Sequence, residues 1–253
     1  MIKRNPKIKI IRILLSRKFI GIKTKVRIGI VFDRRTRLFS ARKYFSTVEK
    51  SIKKIFNSSI DTIDSIHPSN INFSSIRVQE TTDHLYRGAI LYDSSGIPYC
   101  MEISKQNSEK PITIFHEAGH LIDIMGVGTP GQFESANAGG LFVHLLGLAN
   151  STPEIIKINN IIVSGTLLTG GKLLPLPPNT MGTLKYLIQP HEILARSYAQ
   201  YIVEKSKSKK LHKMLRNRKK DSKFGEQWSI GNFKPLMQEW DNILNSIGWH
   251  VKK

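Results

Sequence analysis

The 253-residue sequence predicts an α+β fold, in which a short antiparallel sheet is followed by helices. Strand-type patterns occur at Ile76–Val78 and at Ala89–Ile103, and two later segments carry apolar residues at helical spacing. A hydrophobic content of 40% is enough for a full core, and the length is that of one or two domains. We predict a basic N-terminal extension over residues 1–70 and one main domain over residues 71–253.

The charge is concentrated in two runs. The net charge is +20, and residues 1–32 contain ten Lys or Arg and no acid. Residues 205–220 add nine more basic side chains, again with no acid. Such runs favour nucleic-acid backbones or anionic membrane surfaces, which are therefore candidate partners of both segments. Solvated tails are the alternative. The first run mixes apolar residues with its charges, so short strands and an amphipathic helix both stay open.

Two elements are expected before the main helical region. We predict a helix over Ala41–Ile55, closed by the polar residues 57–59. The segment Ala89–Ile103 is typical of a hairpin whose turn is formed by residues 93–96, Asp-Ser-Ser-Gly. Cys100 is the single cysteine, which excludes an intrachain disulfide, and we expect it to be a half-buried strand residue.

The segment 115–123, Phe-His-Glu-Ala-Gly-His-Leu-Ile-Asp, is the most informative part of the chain. It contains the pattern H-E-x-x-H within a predicted amphipathic helix. Residues four apart lie above one another on a helix, so His116 and His120 can direct both imidazoles at one zinc ion. Glu117 then lies beside the water that such an ion binds, which is a catalytic arrangement. The alternative is a surface helix with two unrelated histidines.

The flanking residues support this helix. Ser108 is a candidate N-cap, Pro111 suits the first turn, and Gly126 suits the C-terminal end. Ala118 and Gly119, between the two histidines, are small enough for another element to approach closely.

A catalytic zinc usually has a third protein ligand, and Glu192 is the best candidate. It lies in a second predicted helix, residues 189–202, and Arg196 one turn later could hold its carboxylate. The alternative is a first-turn acid with Arg196 as its surface partner. His191 is a weaker candidate because it projects about 100° away from Glu192. Asp123 shares the face of the two histidines and suits a hydrogen bond to a ligand better than direct ligation.

The connection between the two helices, residues 126–189, is rich in Gly, Ser, Asn and Pro. It contains an apolar segment, Leu141–Leu148, and a stretch from Gly170 to Pro178 that we expect to be loop. The connection forms either a wall of the cleft or packing around it. His144 lies among leucines, so a buried, hydrogen-bonded histidine is expected there.

The two motif segments, residues 113–123 and 192–201, together resemble the glutamate-zincin metallopeptidases of phage and mobile-element proteins, including domains of minor head proteins and polymorphic toxins. The closing segments 227–233 and 240–248 are similar to the tail that follows the glutamate helix in such domains. The resemblance covers about residues 74–249, although only the two helices are specific.

This resemblance implies a zincin-like fold with Zn²⁺ as cofactor, a peptide or protein as substrate, and Glu117 as general base. The implied zinc ligands are His116, His120 and Glu192. The long connection between the helices departs from compact members of the family.

Zincins bind their substrate as an added strand on an edge strand above the metal. We predict that residues 99–103 form this edge strand. Pro98, directly before it, suits an edge position because proline cannot donate a backbone hydrogen bond. The alternative is an ordinary hairpin. The members of the predicted edge strand are Tyr99, Cys100, Met101, Glu102 and Ile103. The candidate donors to the reaction's oxyanion are Tyr186, Tyr198 and Tyr201, and their spacing does not select one.

The sequence therefore predicts a zinc metallopeptidase. The alternative is a nucleic-acid or membrane-surface binding protein whose zinc site is structural or inactive. Three ligands with a base beside them favour the enzyme, because structural zinc normally has four protein ligands. No apolar run is long enough for a membrane span, and Arg12 interrupts the only signal-like segment. We expect a cytoplasmic location, or a virion if the protein is phage-derived.

Overall fold

The computed structural model describes residues 45–68, 76–83, 86–127, 131–222, 224 and 226–251, all of which belong to one unit, Phe39–Lys253. The fold of this part is α+β, as predicted. The strands are β1 (Phe45–Val48), β2 (Ile76–Thr81), β3 (Gly88–Tyr92), β4 (Pro98–Ser104), β5 (Thr166–Thr169) and β6 (Lys172–Pro175). The helices are α1 (Lys53–Ile66), α2 (Lys110–Leu121), α3 (Val143–Asn150), α4 (Pro153–Ser164), α5 (Pro178–Leu187), α6 (Pro190–Lys205), α7 (Lys209–Asp221) and α8 (Ile230–Ser246). No described helix has the length and apolar character that a membrane crossing requires.

The main sheet is mixed, with the strand order β1-β2-β4-β3. β1, β2 and β4 run parallel to one another, and only β3 is antiparallel to its neighbour β4. The sequence predicted an antiparallel sheet, and this part of the prediction is wrong because three of the four strands are parallel. The prediction that residues 99–103 form an edge strand is wrong, because β4 is hydrogen-bonded on both sides. Most of β4 is buried, which suits a central strand, and the edge strand beside it is β3.

The predicted hairpin is present as the β3–β4 pair. Asp93 holds its turn, since Oδ1 accepts hydrogen bonds from the Ser95 amide and hydroxyl and from the Ile97 amide. Gly96 takes a positive φ of 78°, which explains the glycine at this point of the turn. Cys100 lies in β4 as expected, although it is fully buried where the sequence suggested half-burial.

The N-terminal helix differs from its prediction. Residues 45–48 form a strand, and the helix begins only at Lys53, whereas the start of the predicted helix at Ala41 lies outside the described residues. The polar run 57–59 does not interrupt the helix, because the Ser59 hydroxyl donates to the Ile55 carbonyl within it.

The first described strand and helix belong to the sheet and core of the main unit. β1 pairs with β2, and α1 turns Phe56, Ile60 and Ile63 inward at spacings of four and three residues. Both elements lie within residues 1–70, which the sequence assigns to a basic extension. The basic run at residues 1–32 lies outside the described part of the chain.

The closest packing in the helical part is between α2 and α6. A Cβ atom at Gly119 would lie 2.8 Å from the Cα of Ala195 and 3.2 Å from the Cβ of Tyr198. Contacts this short exclude any side chain at Gly119, so the predicted close approach is present here. α6 is buried on all sides from Glu192 to Val203, as expected of a helix at the centre of a core.

The C-terminal region holds α6 in place. The Gln200 side chain exchanges two hydrogen bonds with the backbone of Trp228, at 3.0 and 3.1 Å. From α8, the indole N–H of Trp240 donates to the hydroxyl of Ser197 at 3.0 Å. These bonds satisfy polar groups on a helix that has no solvent-facing side over this stretch.

Helix α2 begins and ends close to the predicted positions. Its N-cap is Glu109 and not Ser108, and no side chain caps it, whereas Pro111 occupies the first turn as predicted. After Leu121 the helix widens into a single π-helical turn, Ile122–Gly126, and stops at the predicted glycine.

The connection between α2 and α6 contains more regular structure than predicted. The stretch from Gly170 to Pro178 includes β6, which pairs with β5 through a turn at Gly170-Gly171. The buried-histidine prediction is wrong, because the His144 side chain is 70% exposed and its Nδ1 lies 3.1 Å from Glu239 Oε1. On α3 the inward positions are Leu145 and Ala149, and His144 lies about 100° round the helix from Leu145.

The substitution Gly119→Ala tests the α2–α6 contact. We expect a loss of about 1–3 kcal/mol in the free energy of unfolding, because the new methyl group overlaps backbone atoms of α6. The matched control is Gly182→Ala in α5, where nothing lies within 4 Å of the new atom. That control should gain up to about 1 kcal/mol through helix propensity. Chemical denaturation measures the free energy of unfolding of both variants. The same change in both would contradict the proposed contact.

Candidate metal centre

The three predicted ligand side chains, those of His116, His120 and Glu192, meet between α2 and α6. The Nε2 atoms of His116 and His120 lie 3.2 Å apart. The Glu192 carboxylate faces both, with Oε1 3.5 Å from His116 Nε2 and Oε2 3.5 Å from His120 Nε2. The ligand atoms of these residues all lie within 4.8 Å of one another.

The spacing of these atoms fits a tetrahedral ion. Zinc binds imidazole nitrogen and carboxylate oxygen at about 2.0–2.1 Å, which at tetrahedral angles puts neighbouring ligand atoms about 3.3–3.4 Å apart. The two imidazole nitrogens, 3.2 Å apart, are close to that separation, and each lies 3.5 Å from a different oxygen of the Glu192 carboxylate. Two imidazoles and one carboxylate are also a ligand set that zinc uses in open sites.

The electrostatics of Glu192 also suit a bound cation. Its Oε2 is buried and has no hydrogen-bond partner among the described residues. Burial alone would raise the pKa of Glu192, but the adjacent His116 and His120 outweigh it and lower that pKa well below its usual range. A buried carboxylate with an unpaired oxygen is costly unless a positive charge lies next to it.

Arg196 lies beside Glu192, one turn further along α6. Its Nε is 3.9 Å from Glu192 Oε1, and the side chain is only 4% exposed, so the surface-pair alternative is wrong. The guanidinium donates to the carbonyls of Glu226 and Leu187, and it lies 5.3 Å from the ring centroid of Trp228. These contacts fix the position of Arg196 behind the carboxylate.

Glu117 is buried next to the ligand cluster. It is 3% exposed, and burial is the main reason why its pKa is raised to about 7, with Glu192 adding to the rise and His120 and Arg218 opposing it. Gly88 on β3 makes room for this side chain, because a Cβ there would lie 2.9 Å from Glu117 Oε1. The sequence gives no local signal for this role of Gly88.

Asp123 does not form the predicted bond to a ligand histidine. Its carboxylate accepts hydrogen bonds from the amide and hydroxyl of Ser135, at 2.7 and 2.5 Å. His120 Nδ1 is buried without a partner among the described residues. Asp123 therefore anchors the short 3₁₀ turn Glu134–Ala136 to the end of the metal-binding helix.

Two of the three candidate oxyanion donors point away from the cluster. The Tyr198 hydroxyl lies 2.9 Å from His67 Nε2, and the Tyr201 hydroxyl donates to Asp241 at 2.8 Å. On α6, Tyr201 lies about 180° and Tyr198 about 120° round the helix from Glu192, so neither side chain is directed at the cluster. Tyr186 lies beside the site, with its ring centroid 6.2 Å from that of His191, and it is about half exposed. Partial burial and then the charge of Glu192 raise the pKa of Tyr186.

Two aromatic residues that the sequence did not assign, Phe133 and Tyr92, line the site together with His191. Phe133 stacks on His191 with ring centroids 4.8 Å apart, and its ring lies 6.3 Å from those of His120 and Tyr92. His191 is thus a wall residue and not a member of the ligand cluster, as its direction on α6 predicted. Tyr92 has its pKa raised by burial and by Glu117 and Asp123, which lie near it.

Comparisons of the chain with protein-family models, with curated proteins and with solved structures find no match. The functional interpretation of this site therefore depends on its own geometry: two imidazoles and a carboxylate at zinc spacing, with a buried carboxyl group beside them.

Proposed function

We propose that the protein is a zinc-dependent metallopeptidase with a zincin-like fold. The observation that carries the proposal is the convergence of His116, His120 and Glu192, whose ligand atoms lie within 4.8 Å of one another, with Glu117 buried beside them. Zinc in such an open site supplies an activated water and polarises the carbonyl of the scissile bond.

Glu117 is the proposed general base. Its position next to both histidine ligands puts the carboxylate within reach of the attacking water, whose proton it accepts. The same carboxyl group then delivers that proton to the leaving amine nitrogen.

Tyr186 is the proposed donor to the oxyanion. It lies at the end of α5, directly before α6, and its ring centroid is 6.2 Å from that of His191. Partial burial and the charge of Glu192 raise the pKa of its phenol. A phenol kept protonated in this way donates a hydrogen bond to the developing negative charge.

The substrate strand is proposed to add to β3. Within the described residues β3 is paired on one side only, and Gly88 at its start leaves room for the Glu117 carboxyl group. An extended peptide on the free side of β3 would pass the base and the ligand cluster, whereas β4 has no free side.

The alternative function is a binding protein with a structural or inactive zinc site. The described residues offer three ligands in this cluster, whereas structural zinc normally has four. Glu117, the candidate base, is buried beside them. The peptidase therefore has the stronger support. A phage or mobile-element origin and a cytoplasmic or virion location stay predictions from the sequence.

The substitution Glu117→Gln tests the base. We expect one zinc per chain to be retained, while hydrolysis falls by about 10²–10⁴-fold because Gln cannot accept the proton. Cleavage of fluorescein-labelled casein and of a degenerate peptide library measures activity, with Glu239→Gln as an isosteric control far from the site. Near-wild-type hydrolysis by the zinc-loaded Glu117→Gln variant would refute its role. A zinc-loaded wild type that cleaves neither probe would count against the peptidase itself.

The substitution Tyr186→Phe tests the oxyanion donor. We expect kcat to fall by about 10²–10³-fold with zinc retained, since only the phenolic hydroxyl is removed. The matched control is Tyr201→Phe, which removes the bond to Asp241 and should cost about 1 kcal/mol of stability without slowing catalysis. Steady-state kinetics on the same casein probe separate the two. Equal rates for Tyr186→Phe and wild type would exclude Tyr186 from the reaction.

A further inference from the structure

Helix α7 has two chemically different faces. Leu211 and Leu215 are buried against the rest of the unit, and on the same side Arg218 bonds Glu109 through Nε at 2.9 Å. The N-cap is Ser208, whose hydroxyl accepts a hydrogen bond from the Leu211 amide. These contacts fix both the position of α7 and its rotation about its own axis.

The opposite face of α7 is a straight row of four exposed cations. Positions 0, 4, 7 and 11 along a helix fall within about 60° of one another, so their side chains project in one direction. Leu211 and Leu215 lie about 200° and 240° round the helix from the first of them. The members of this row, which we call the α7 cation row, are Lys209, Lys213, Arg216 and Lys220.

None of the four cations has an ion-pair or hydrogen-bond partner among the described residues. By contrast, Arg218 is paired with Glu109, and Lys219 Nζ donates to the Trp228 carbonyl at 2.8 Å. Nothing acidic lies between residues 205 and 220 to neutralise the row. Among the described side chains nothing neutralises the row, so it presents four charges to an external partner.

The density of charge on the row is similar to that of a nucleic-acid strand. Eleven helical steps of 1.5 Å make the row about 16 Å long. One strand of a duplex carries a phosphate about every 3.4 Å, hence about five phosphates over the same distance. Four cations over that length can neutralise most of them.

We propose that the α7 cation row binds the sugar-phosphate backbone of a nucleic acid. An anionic membrane fits less well, because the apolar side chains of α7 face inward and leave nothing to insert among lipids. This inference does not depend on the proposed peptidase activity.

The test compares two variants of the full chain that lose the same charge. One replaces the α7 cation row by Gln at all four positions. The matched control replaces four exposed lysines on other elements by Gln, so that net charge falls equally. The control positions are Lys157, Lys172, Lys185 and Lys234. Binding of a fluorescent 30-base-pair duplex is measured by anisotropy over a range of salt concentrations, and binding to vesicles containing phosphatidylserine is measured in parallel.

We expect the row variant to bind the duplex at least about tenfold more weakly, with the slope of log K against log salt reduced by about 3–4. The control variant should stay within about threefold of wild type, and circular dichroism should show both to be folded. Equal losses in the two variants, or no loss in either, would overturn the proposal. So would a row variant that loses vesicle binding but keeps duplex binding.

Discussion

The rest of the site depends on the close packing of α2 against α6. The two helices can approach because Gly119 carries no side chain where α6 passes over it at Ala195. This approach brings both imidazoles of α2, from His116 and His120, within 3.5 Å of the Glu192 carboxylate on α6. A metal site divided between two helices requires that distance to be fixed by the core.

The same packing buries several charged groups at once. Glu117, Glu192 and Arg196 are each less than 5% exposed, an arrangement that costs free energy unless the charges are paired. The guanidinium of Arg196 lies next to Glu192 and donates to two backbone carbonyls, so it compensates the carboxylate from one side. A cation bound between the three ligands would compensate the carboxylate from the other side. Stability and metal binding are therefore coupled in this unit.

The sequence could predict what local spacing determines. The four-residue separation of His116 and His120 defines a shared helix face, and the start of a second helix placed Glu192 on the correct side of α6. Features that depend on long-range pairing could not be read in this way. The place of β4 inside the sheet follows from its pairing with β2, more than 20 residues earlier. Likewise, no local pattern shows that Gly88 makes room for the base or that Phe133 stacks beside the ligands.

Zinc content, measured in the purified and zinc-loaded protein after dialysis, tests the central claim most directly. Wild type should hold one zinc per chain, and His191→Ala should hold the same, since that ring lies beside the cluster without belonging to it. Glu192→Ala should lose the metal or bind it at least about 100-fold more weakly, because one of three ligands is gone. Full zinc occupancy with unchanged affinity in Glu192→Ala, or loss of zinc in His191→Ala alone, would contradict the two-helix site.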